Sequence, residues 1–364
     1  MKLLLSTLGL VAALVAHPVS AATDVESPQG LLKGQLPDNA PALKRVAITT
    51  FFVQYVTDFG IETKRSRGGT FYSKWKDPAP ELLQGTSNAL YAQLVTDLKA
   101  AGIDVVPADQ VAAQASMAEL RSAARPSPAP INDSSIRKAS TLVSAQDLPL
   151  TLATLPDAKL SSYATKPIEG TDPPGNLIGW DQQASEWLLG SNAELSSLAT
   201  IYFGQAKLAK GLNATALNVR LTLPLVDLGV TTAGSAGGGL FGSAKVTGLV
   251  KPNARFVEAG TVFSFAQDGG NPGHRHVLGL QKPVPISGLK VSMDIDKKTL
   301  DETIFGTQSA RGQGLLGALS GATGANNNAA DFWVSVDAAD FQAALVSAGS
   351  TIFKELAQIL VNAK

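Results

Sequence analysis

LKAAGIDVV, residues 98–106, joins the end of an amphipathic helix to a short strand. The helix begins at Pro80, repeats apolar residues at helical spacing and ends at Ala101-Gly102. A β-branched and aromatic stretch, VAITTFFV at residues 46–53, precedes the helix and predicts another strand. A helix between two strands favours a βαβ-type unit, in which both strands belong to one sheet.

Further strands are predicted on the C-terminal side of this unit. LNVRLTL, residues 217–223, alternates apolar and polar residues, which predicts a strand with one buried face and one polar face. Arg220 then lies on the wet side or covers a helix end. Strands are also predicted over residues 198–206 and in a meander over residues 246–265. The fold class expected is α/β (α+β), a mixed central sheet flanked by amphipathic helices, with long loop insertions and a C-terminal helix.

The C-terminal segment predicts a long helix. Asp337 is a candidate N-cap, and Asp340 follows at the third helical position, where a carboxylate favours the helix dipole. Apolar residues then recur in one stripe over more than five turns: Phe341, Leu345, Ala348, Ile352, Leu356 and Ile359. We expect this stripe to pack against the sheet, with docking on a partner as the alternative.

The N-terminal residues predict a cleavable secretory signal peptide over residues 1–21. Lys2 precedes a short apolar run, and small residues occupy the positions before the expected cleavage site. Cleavage is placed after Ala21, with Ala22 as a near alternative. The apolar run is shorter than the roughly 20 residues that a spanning helix needs.

The remainder of the chain predicts a flexible leader at residues 22–43 and a single α/β domain at residues 44–364. The leader is polar and contains proline and glycine. Insertions into the domain are expected at about residues 61–79, 123–195, 229–246 and 305–330.

The amino-acid composition limits the cellular compartments and the classes of partner that are expected for the protein. The chain has no cysteine, which excludes disulfides, thiolate metal sites, a cysteine nucleophile and a bacterial lipoprotein anchor. Loss of Lys2 with the signal leaves 29 of the 30 basic residues against 30 acidic ones. Nucleic-acid binding would require a basic excess, so it is not predicted. The short signal, the lack of cysteine and the alanine- and glycine-rich composition indicate a bacterial periplasmic protein; outer-membrane-associated and secreted locations are the alternatives.

A basic and aromatic loop is one candidate binding site. Lys64, Arg65 and Arg67 lie close in sequence to Tyr72 and Trp75. Guanidinium and ammonium groups beside aromatic rings could bind an anionic glycan or an anionic peptide. The alternative is a solvated loop with its aromatic residues tucked under it.

The two histidines of the mature chain, His274 and His276, are a candidate metal site. In a strand, residues two apart point to the same face, so the two imidazoles could share a metal ion. Asp268 is the only nearby acidic residue, and the spacing fixes no third ligand. A metal-dependent hydrolase is therefore an alternative function. The chain has no G-x-S-x-G motif to indicate a serine hydrolase.

Two glycine-rich segments carry G-x-G-x-x-G patterns, beginning at Gly237 and at Gly312. Neither pattern is predicted to lie between a strand and a helix, so we predict no dinucleotide, phosphate or other cofactor. Residues 229–250 are mostly apolar and could instead form a membrane hairpin. Such a hairpin needs about nine or ten residues per strand and several copies to close.

The order of elements resembles the periplasmic α/β domain shared by CsgG-type curli secretion channels, the TolB N-terminal domain and lipoproteins that activate cell-wall synthases. The residues that carry the resemblance are hydrophobic patterns in the strand at 46–53, LKAAGIDVV at 98–106, LATIYFGQAKL at 198–208 and LNVRLTLPLVDLG at 217–229. The lipoprotein cysteine is missing, and the segments at 61–79, 123–195 and 229–246 are long for the family. Members of this group mostly bind other envelope proteins and catalyse nothing, and no functional residue is carried over.

These observations predict an exported, non-enzymatic periplasmic protein that binds or assembles other proteins of the cell envelope. The first alternative is an oligomeric outer-membrane or secretion component that uses residues 229–250 as a hairpin. The second alternative is a metal-dependent hydrolase that uses His274 and His276. The identity of the partner and the oligomeric state are left open.

Overall fold

The computed structural model of the chain describes residues 22–37, 43–62, 70–133, 138–151, 203–233, 245–258, 260–268, 276–295 and 329–363. Its strands in these ranges are β1 (Ala22–Glu26), β2 (Leu32–Pro37), β3 (Arg45–Glu62), β4 (Thr70–Trp75), β5 (Asp104–Val105), β6 (Ala129–Asp133), β7 (Lys138–Ser144), β8 (Thr215–Leu223), β9 (Val226–Ala233), β10 (Lys245–Pro252), β11 (Arg255–Phe256), β12 (Val262–Ala266), β13 (His276–Leu280), β14 (Val284–Pro285), β15 (Val291–Ile295) and β16 (Ala329–Val336). Its helices are α1 (Pro80–Ala100), α2 (Ala108–Ala112), α3 (Ala115–Ser122), α4 (residues 203–212) and α5 (Ala338–Asn362).

The central strand of the sheet is β3, which is 18 residues long. On one edge it pairs in parallel with β8 and, further along, antiparallel with β4. On its other edge it pairs in parallel with β5 and then antiparallel with β7. Helix α1 connects β3 and β4 to β5, so the predicted unit of two parallel strands and a helix is confirmed.

The sheet continues outward from β3 in both directions. From β8 the sheet continues through β12, β13 and β2 to β1, and from β4 it continues through β16 to β15. Strands β5, β7 and β6 lie on the second edge of β3. Parallel ladders (β3 with β8 and β5, and β4 with β16) alternate with antiparallel ones. The mixed central sheet with flanking helices is therefore confirmed.

Helices α1 and α5 cover one face of this sheet and form the main core with it. All six predicted stripe residues of α5 are buried. The two helices approach closely at Gly349, where an added Cβ would lie 2.6 Å from Cδ2 of Leu90. Asp337 is the N-cap as predicted, because its carboxylate accepts the Ala339 N–H at 3.0 Å.

The composition of α5 also fits a membrane span, since it has 25 residues and reaches a mean hydropathy of 1.3. Its apolar stripe lies instead against α1 and the sheet, in the core that contains Phe341 and Leu356. Burial of one face in the domain accounts for this hydropathy.

The opposite face of the sheet is partly covered by α2, α3 and α4. These helices form a second, smaller core with small residues of β3 and with the segment after β5: Ala47, Val106, Val111, Met117, Leu120, Leu208, Leu212 and Ala214. Helix α4 also places Ala209 against Ala216 and Ala266. Small side chains at these strand positions allow the helix to lie close to the sheet.

The expectation of a flexible leader at residues 22–43 is corrected by β1 and β2. These strands form an antiparallel hairpin, and β2 pairs with β13 at the end of the main sheet. Leu32, Leu36 and Leu43 are almost completely buried in the main core. These leucines are four and seven residues apart among polar, glycine and proline residues, so they give no strand-like alternation that would distinguish the segment from a polar leader.

The predicted strand at residues 198–206 is also corrected where the structure describes it. Residues 203–212 form helix α4, and the buried positions Gln205, Leu208, Ala209 and Leu212 have helical spacing. The aromatic and β-branched residues before Gly204 favoured a strand by propensity, and tertiary packing of the later residues decided the helix. Residues 198–202 lie outside the described ranges.

The predicted insertions contain regular structure. β4 occupies part of 61–79, β6 and β7 occupy part of 123–195, and β9 and β10 occupy the two ends of 229–246. The described end of the insertion predicted at 305–330 belongs to β16. These strands extend the sheet or form a hairpin beside it, because their backbone groups need partners.

Candidate binding groove

Most of the predicted basic and aromatic binding loop lies outside the described residues. Lys64, Arg65 and Arg67 are in this group. Tyr72 belongs to β4, but the description covers its backbone alone. A binding role for these four residues stays a prediction.

Trp75 is a core residue, which corrects its assignment to a binding loop. Its side chain is only 7% exposed. The indole meets the Tyr55 ring edge to face at 6.2 Å between centroids and the Phe341 ring at 5.4 Å. Trp75 pairs in register with Val334 of β16, and both side chains belong to the main core. It therefore joins β3, β4 and α5.

Tyr55 is the polar member of this aromatic group. Its hydroxyl donates to the Leu83 carbonyl oxygen at 3.1 Å and lies 3.1 Å from the Ser87 hydroxyl oxygen. Burial raises the pKa of Tyr55 above its ordinary value, and the hydrogen bond with Ser87 acts in the opposite direction. The phenol is a structural link between β3 and α1.

The proposed pair of histidines is only half described. His276 begins β13 and is 4% exposed, and it pairs in register with Phe265 of β12. His274 lies outside the described ranges. Among the described residues, no group of three or more histidine, cysteine, aspartate or glutamate side chains is placed to hold a metal ion. A metal site at His274 and His276 stays a prediction.

The glycine-rich segment forms a hairpin beside the main sheet. β9 and β10 pair antiparallel over eight residues each, from Val226 opposite Pro252 to Ala233 opposite Lys245. By register, Leu228 is opposite Val250 and Gly229 is opposite Leu249. A buried ion pair anchors the base of the hairpin: Asp227 accepts from Arg255 at 2.5 Å and also from Asn253.

The polar face of β8 is buried, which corrects the expectation that Arg220 meets water. Arg220 is 0% exposed and donates to the side-chain oxygen of Gln54, which in turn donates to Ser140 at 3.0 Å. Closer to α4, the Asn218 and Gln205 amides bond to each other. β8 lies in the middle of the sheet, where both faces are covered, and its polar residues hydrogen-bond within the protein.

A groove lies between the β1–β2 hairpin and helix α5 on the described surface. It consists of two adjoining cavities of about 480 and 370 Å³, and the exposed Gln358 side chain contributes to both. The groove runs along α5 from Val346 to Ala363. At 1.5 Å per residue, this part of the helix is about 25 Å long.

The end of the groove near the β1–β2 turn is polar. It is lined by Gln29, Gln93, Val346, Ser347, Ser350, Thr351, Lys354, Glu355 and Gln358. Glu355 is 3% exposed, and its carboxylate accepts the Gln29 N–H at 3.2 Å. Ser350 donates to the buried carboxylate of Asp97 on α1 at 2.8 Å. The carboxylates thus fix the turn and the two helices relative to one another.

The other end of the groove is more apolar. It is lined by Thr23, Val25, Glu26, Pro28, Leu36, Pro37, Gln358, Ile359, Asn362 and Ala363. Leu36 and Ile359 form the buried floor, while Val25 is partly buried above them. This end resembles a binding site for apolar side chains more than a catalytic site.

The outer edge of β1 borders the apolar end of this groove. β1 pairs with β2 on one side, and no strand among the described residues pairs with it on the other side. Thr23, Asp24 and Glu26 are exposed. An open strand edge beside a groove is a common acceptor for an extended polypeptide.

None of the groove residues was predicted from the sequence to be a binding or catalytic residue. Thr23 and Val25 alternate with Asp24 and Glu26, which is the pattern of a half-buried strand, but five residues are a weak signal. The contribution of α5 was hidden, because Lys354 and Gln358 belong to the polar side of a helix that was predicted only to bury its apolar stripe.

Comparisons of the chain with protein-family models, with curated proteins and with solved structures found no match.

Proposed function

We propose that the protein is an exported, non-enzymatic binding or assembly protein of the periplasm that acts through contacts with other envelope proteins. The observation that carries the proposal is the exposed edge of β1 beside the groove along α5. The groove combines a polar end, an apolar end and an open row of backbone groups, which together match the needs of a polypeptide ligand.

The buried acidic residues in the groove wall and directly behind it support binding more than catalysis. Glu355 already accepts a backbone N–H, and Asp97 accepts hydroxyl and amide hydrogens from Ser350 and Gln93. These contacts hold the walls of the groove in place. A preformed groove lowers the conformational entropy that the protein itself loses when it binds a partner.

Site-specific photo-crosslinking in intact cells tests this function. A photoreactive amino acid at Gln358, in the groove, is compared with the same amino acid at Gln110, an exposed residue of α2 on the opposite side of the sheet. We expect discrete crosslinks to envelope proteins from position 358 and none from position 110. Equal patterns at both positions, or none at position 358, would contradict the proposal.

One observation favours a second candidate function, an oligomeric outer-membrane or secretion component. β9 and β10 pair over eight residues each in a two-stranded sheet separate from the main one. This length approaches the nine or so residues that a tilted membrane strand needs. By register, Val230 is opposite Gly248 and Thr231 is opposite Thr247, so the two positions belong to different sets of cross-strand pairs.

Two charge substitutions distinguish the faces of this hairpin. In a membrane-inserted ring, Val230→Asp places a charge towards lipid and should abolish membrane fractionation, while Thr231→Asp faces the interior and should be tolerated. The measurements are membrane fractionation and electron microscopy of detergent-purified particles. A wild-type protein that fractionates with the soluble proteins and shows no rings would remove this candidate.

A further inference from the structure

We propose that β1 accepts an extended segment of a partner protein as an additional strand, and that this segment alternates basic and apolar residues. The inference rests on the proposed binding function and names the chemistry of the partner. It follows from the open edge of β1, the charges of its outer face and the shape of the groove beside it.

The backbone pattern of the hairpin identifies the groups that point outward. The Ser27 N–H donates to the Leu32 carbonyl oxygen at 2.8 Å, so Ser27 directs its backbone groups towards β2. In an antiparallel pair this direction alternates from residue to residue. The N–H and C=O groups of Val25 therefore also point towards β2, and those of Asp24 and Glu26 point towards the open edge.

The side chains of β1 divide between two faces. Val25 and Thr23 lie on the face that turns towards α5, because Thr23 is opposite the buried Leu36. Asp24 and Glu26 lie on the other face. An added strand continues this alternation, so every second side chain of the partner enters the apolar end of the groove.

The outer face of β1 is acidic. Glu26 is 3.5 Å from the Lys33 ammonium group, and both side chains are more than half exposed. Asp24 accepts a hydrogen bond from the neutral Gln35 amide at 3.2 Å. The carboxylate of Asp24 is thus left with its charge facing solvent, and a basic residue opposite it on an added strand is complementary.

The length of the groove fits a short extended segment. The wall formed by α5 is about 25 Å long, which corresponds to about seven or eight residues of strand at 3.3 Å each. The first of these residues pair with β1, and the remainder reach the amide and hydroxyl groups of Gln29, Gln93 and Ser347 at the polar end.

The same charges disfavour a second copy of this chain as the occupant. Antiparallel pairing of β1 with its own copy around a two-fold axis places Asp24 opposite Asp24 in the register that pairs all five residues, and opposite Glu26 in the register centred on Val25. Like charges directly opposite each other destabilise a strand pair. A basic, non-identical segment meets no such repulsion.

The test uses the purified mature chain and three labelled peptides of about eight residues, a length set by the strand rise. The first alternates lysine and valine, the second alternates glutamate and valine, and the third has the lysines and valines of the first in two blocks. Fluorescence anisotropy gives the dissociation constants. We expect the alternating lysine peptide to bind about tenfold more tightly than either control. The glutamate peptide lacks the charge complementarity, and the block peptide lacks the alternation of basic and apolar side chains.

Three substitutions at one position separate the backbone contribution from the charge. Asp24→Pro removes an outward N–H without removing a β1–β2 hydrogen bond, and we expect it to abolish peptide binding at an unchanged melting temperature. Asp24→Asn keeps the N–H and should weaken the preference for the lysine peptide. Asp24→Lys should reverse the preference in favour of the glutamate peptide.

Two results would overturn the inference: no binding of the alternating lysine peptide, or equal binding by the wild type and a folded Asp24→Pro variant. The charges of β1 would then serve only to protect the edge from aggregation. The crosslinking experiment separates the two proposals. Envelope crosslinks from position 358 without peptide binding would support the proposed function and reject the proposed chemistry of the partner. Peptide binding without envelope crosslinks would support the chemistry of the bound segment and reject the proposed function.

Discussion

Trp75, Tyr55 and Phe341 form a compact aromatic group at the junction of β3, β4 and α5. Their ring centroids are 5.4 to 6.3 Å apart, within the range of favourable aromatic contacts. The group lies where β3 leaves the edge of β8 and begins to pair with β4. These aromatic side chains pack β3 and β4 against α5 at this change of partner.

Substitution of Trp75 tests this structural role. We expect Trp75→Ala to lower the free energy of unfolding by about 3–5 kcal/mol, because it leaves a large cavity between β3 and α5. Trp75→Phe keeps most of the buried ring, so its free energy of unfolding should fall clearly less. Urea unfolding followed by circular dichroism measures both. An alanine variant as stable as the wild type would show that the indole is not part of the core.

The Tyr55 hydroxyl makes stability depend on alkaline pH. Burial raises the pKa of Tyr55 in the folded state, whereas the unfolded chain ionises near the ordinary value of about 10. Stability from this group is complete below about pH 10 and is lost as the pH rises towards the folded pKa. The stability difference between wild type and Tyr55→Phe should therefore shrink from pH 8 to pH 11, as measured by urea midpoints. A constant difference would contradict the prediction.

Residues near the middle of the sheet were the hardest to interpret from sequence. The alternation over residues 217–223 correctly predicted β8 and its inward leucines and valine. It could not predict that Arg220 and Asn218 are also buried, because local periodicity does not show whether the second face is covered. Trp75 was misassigned for a related reason, since a basic loop nearby in sequence says nothing about the direction of a strand residue.

Elements with long periodic patterns were predicted most accurately. Helix α1 and helix α5 have nearly the predicted bounds, and the N-cap of α5 is the predicted residue. Short elements such as β1 and β2 were missed, because five or six residues give little periodic signal. Helix α4 was missed because its first described residues have strand propensity, and its helical spacing becomes visible only from Gln205 onward.

The N-cap of α5 gives a prediction at the level of the element. Asp337→Ala removes the acceptor of the Ala339 N–H, and we expect a loss of about 1 kcal/mol in the free energy of unfolding. Asp337→Ser restores an oxygen acceptor and should recover most of this loss. Thermal unfolding of the three proteins provides the comparison. Equal loss in both variants would indicate that charge, and not capping, is the relevant property.

At the level of the whole molecule, the hairpin of β1 and β2 completes both the sheet and the groove. Gly34 of β2 lies so close to β13 that an added Cβ would be 1.9 Å from the Val277 carbonyl oxygen. Lys44, just before β3, donates to the Leu360 carbonyl oxygen at 3.1 Å, at the C-terminal end of α5. The β1–β2 hairpin and the segment that follows it are thus tied to the sheet and to the C-terminal end of α5.

Truncation of the chain tests the contribution of this hairpin. A protein that begins at Asp38 lacks β1 and β2 and exposes the core surface that Leu32 and Leu36 cover. Each of these leucines contributes about 1.5–3 kcal/mol when buried, so we expect a large drop in the urea midpoint. A protein that begins at Ala22 serves as the control. Equal midpoints for the two proteins would restore the interpretation of residues 22–43 as a leader.

The pairing of β3 and β4 with distant strands has a consequence for how the chain is made. β3 can pair with β8 only after the chain has been made past Thr215, where β8 starts, and β4 can pair with β16 only after Ala329, where β16 starts. A chain that emerges from the ribosome or from a secretion pore with its N-terminus first has no finished core until α5 follows. Such a chain stays incompletely folded for most of its length. A copy that stops short of α5 leaves apolar sheet exposed, so we expect cellular proteases to degrade it.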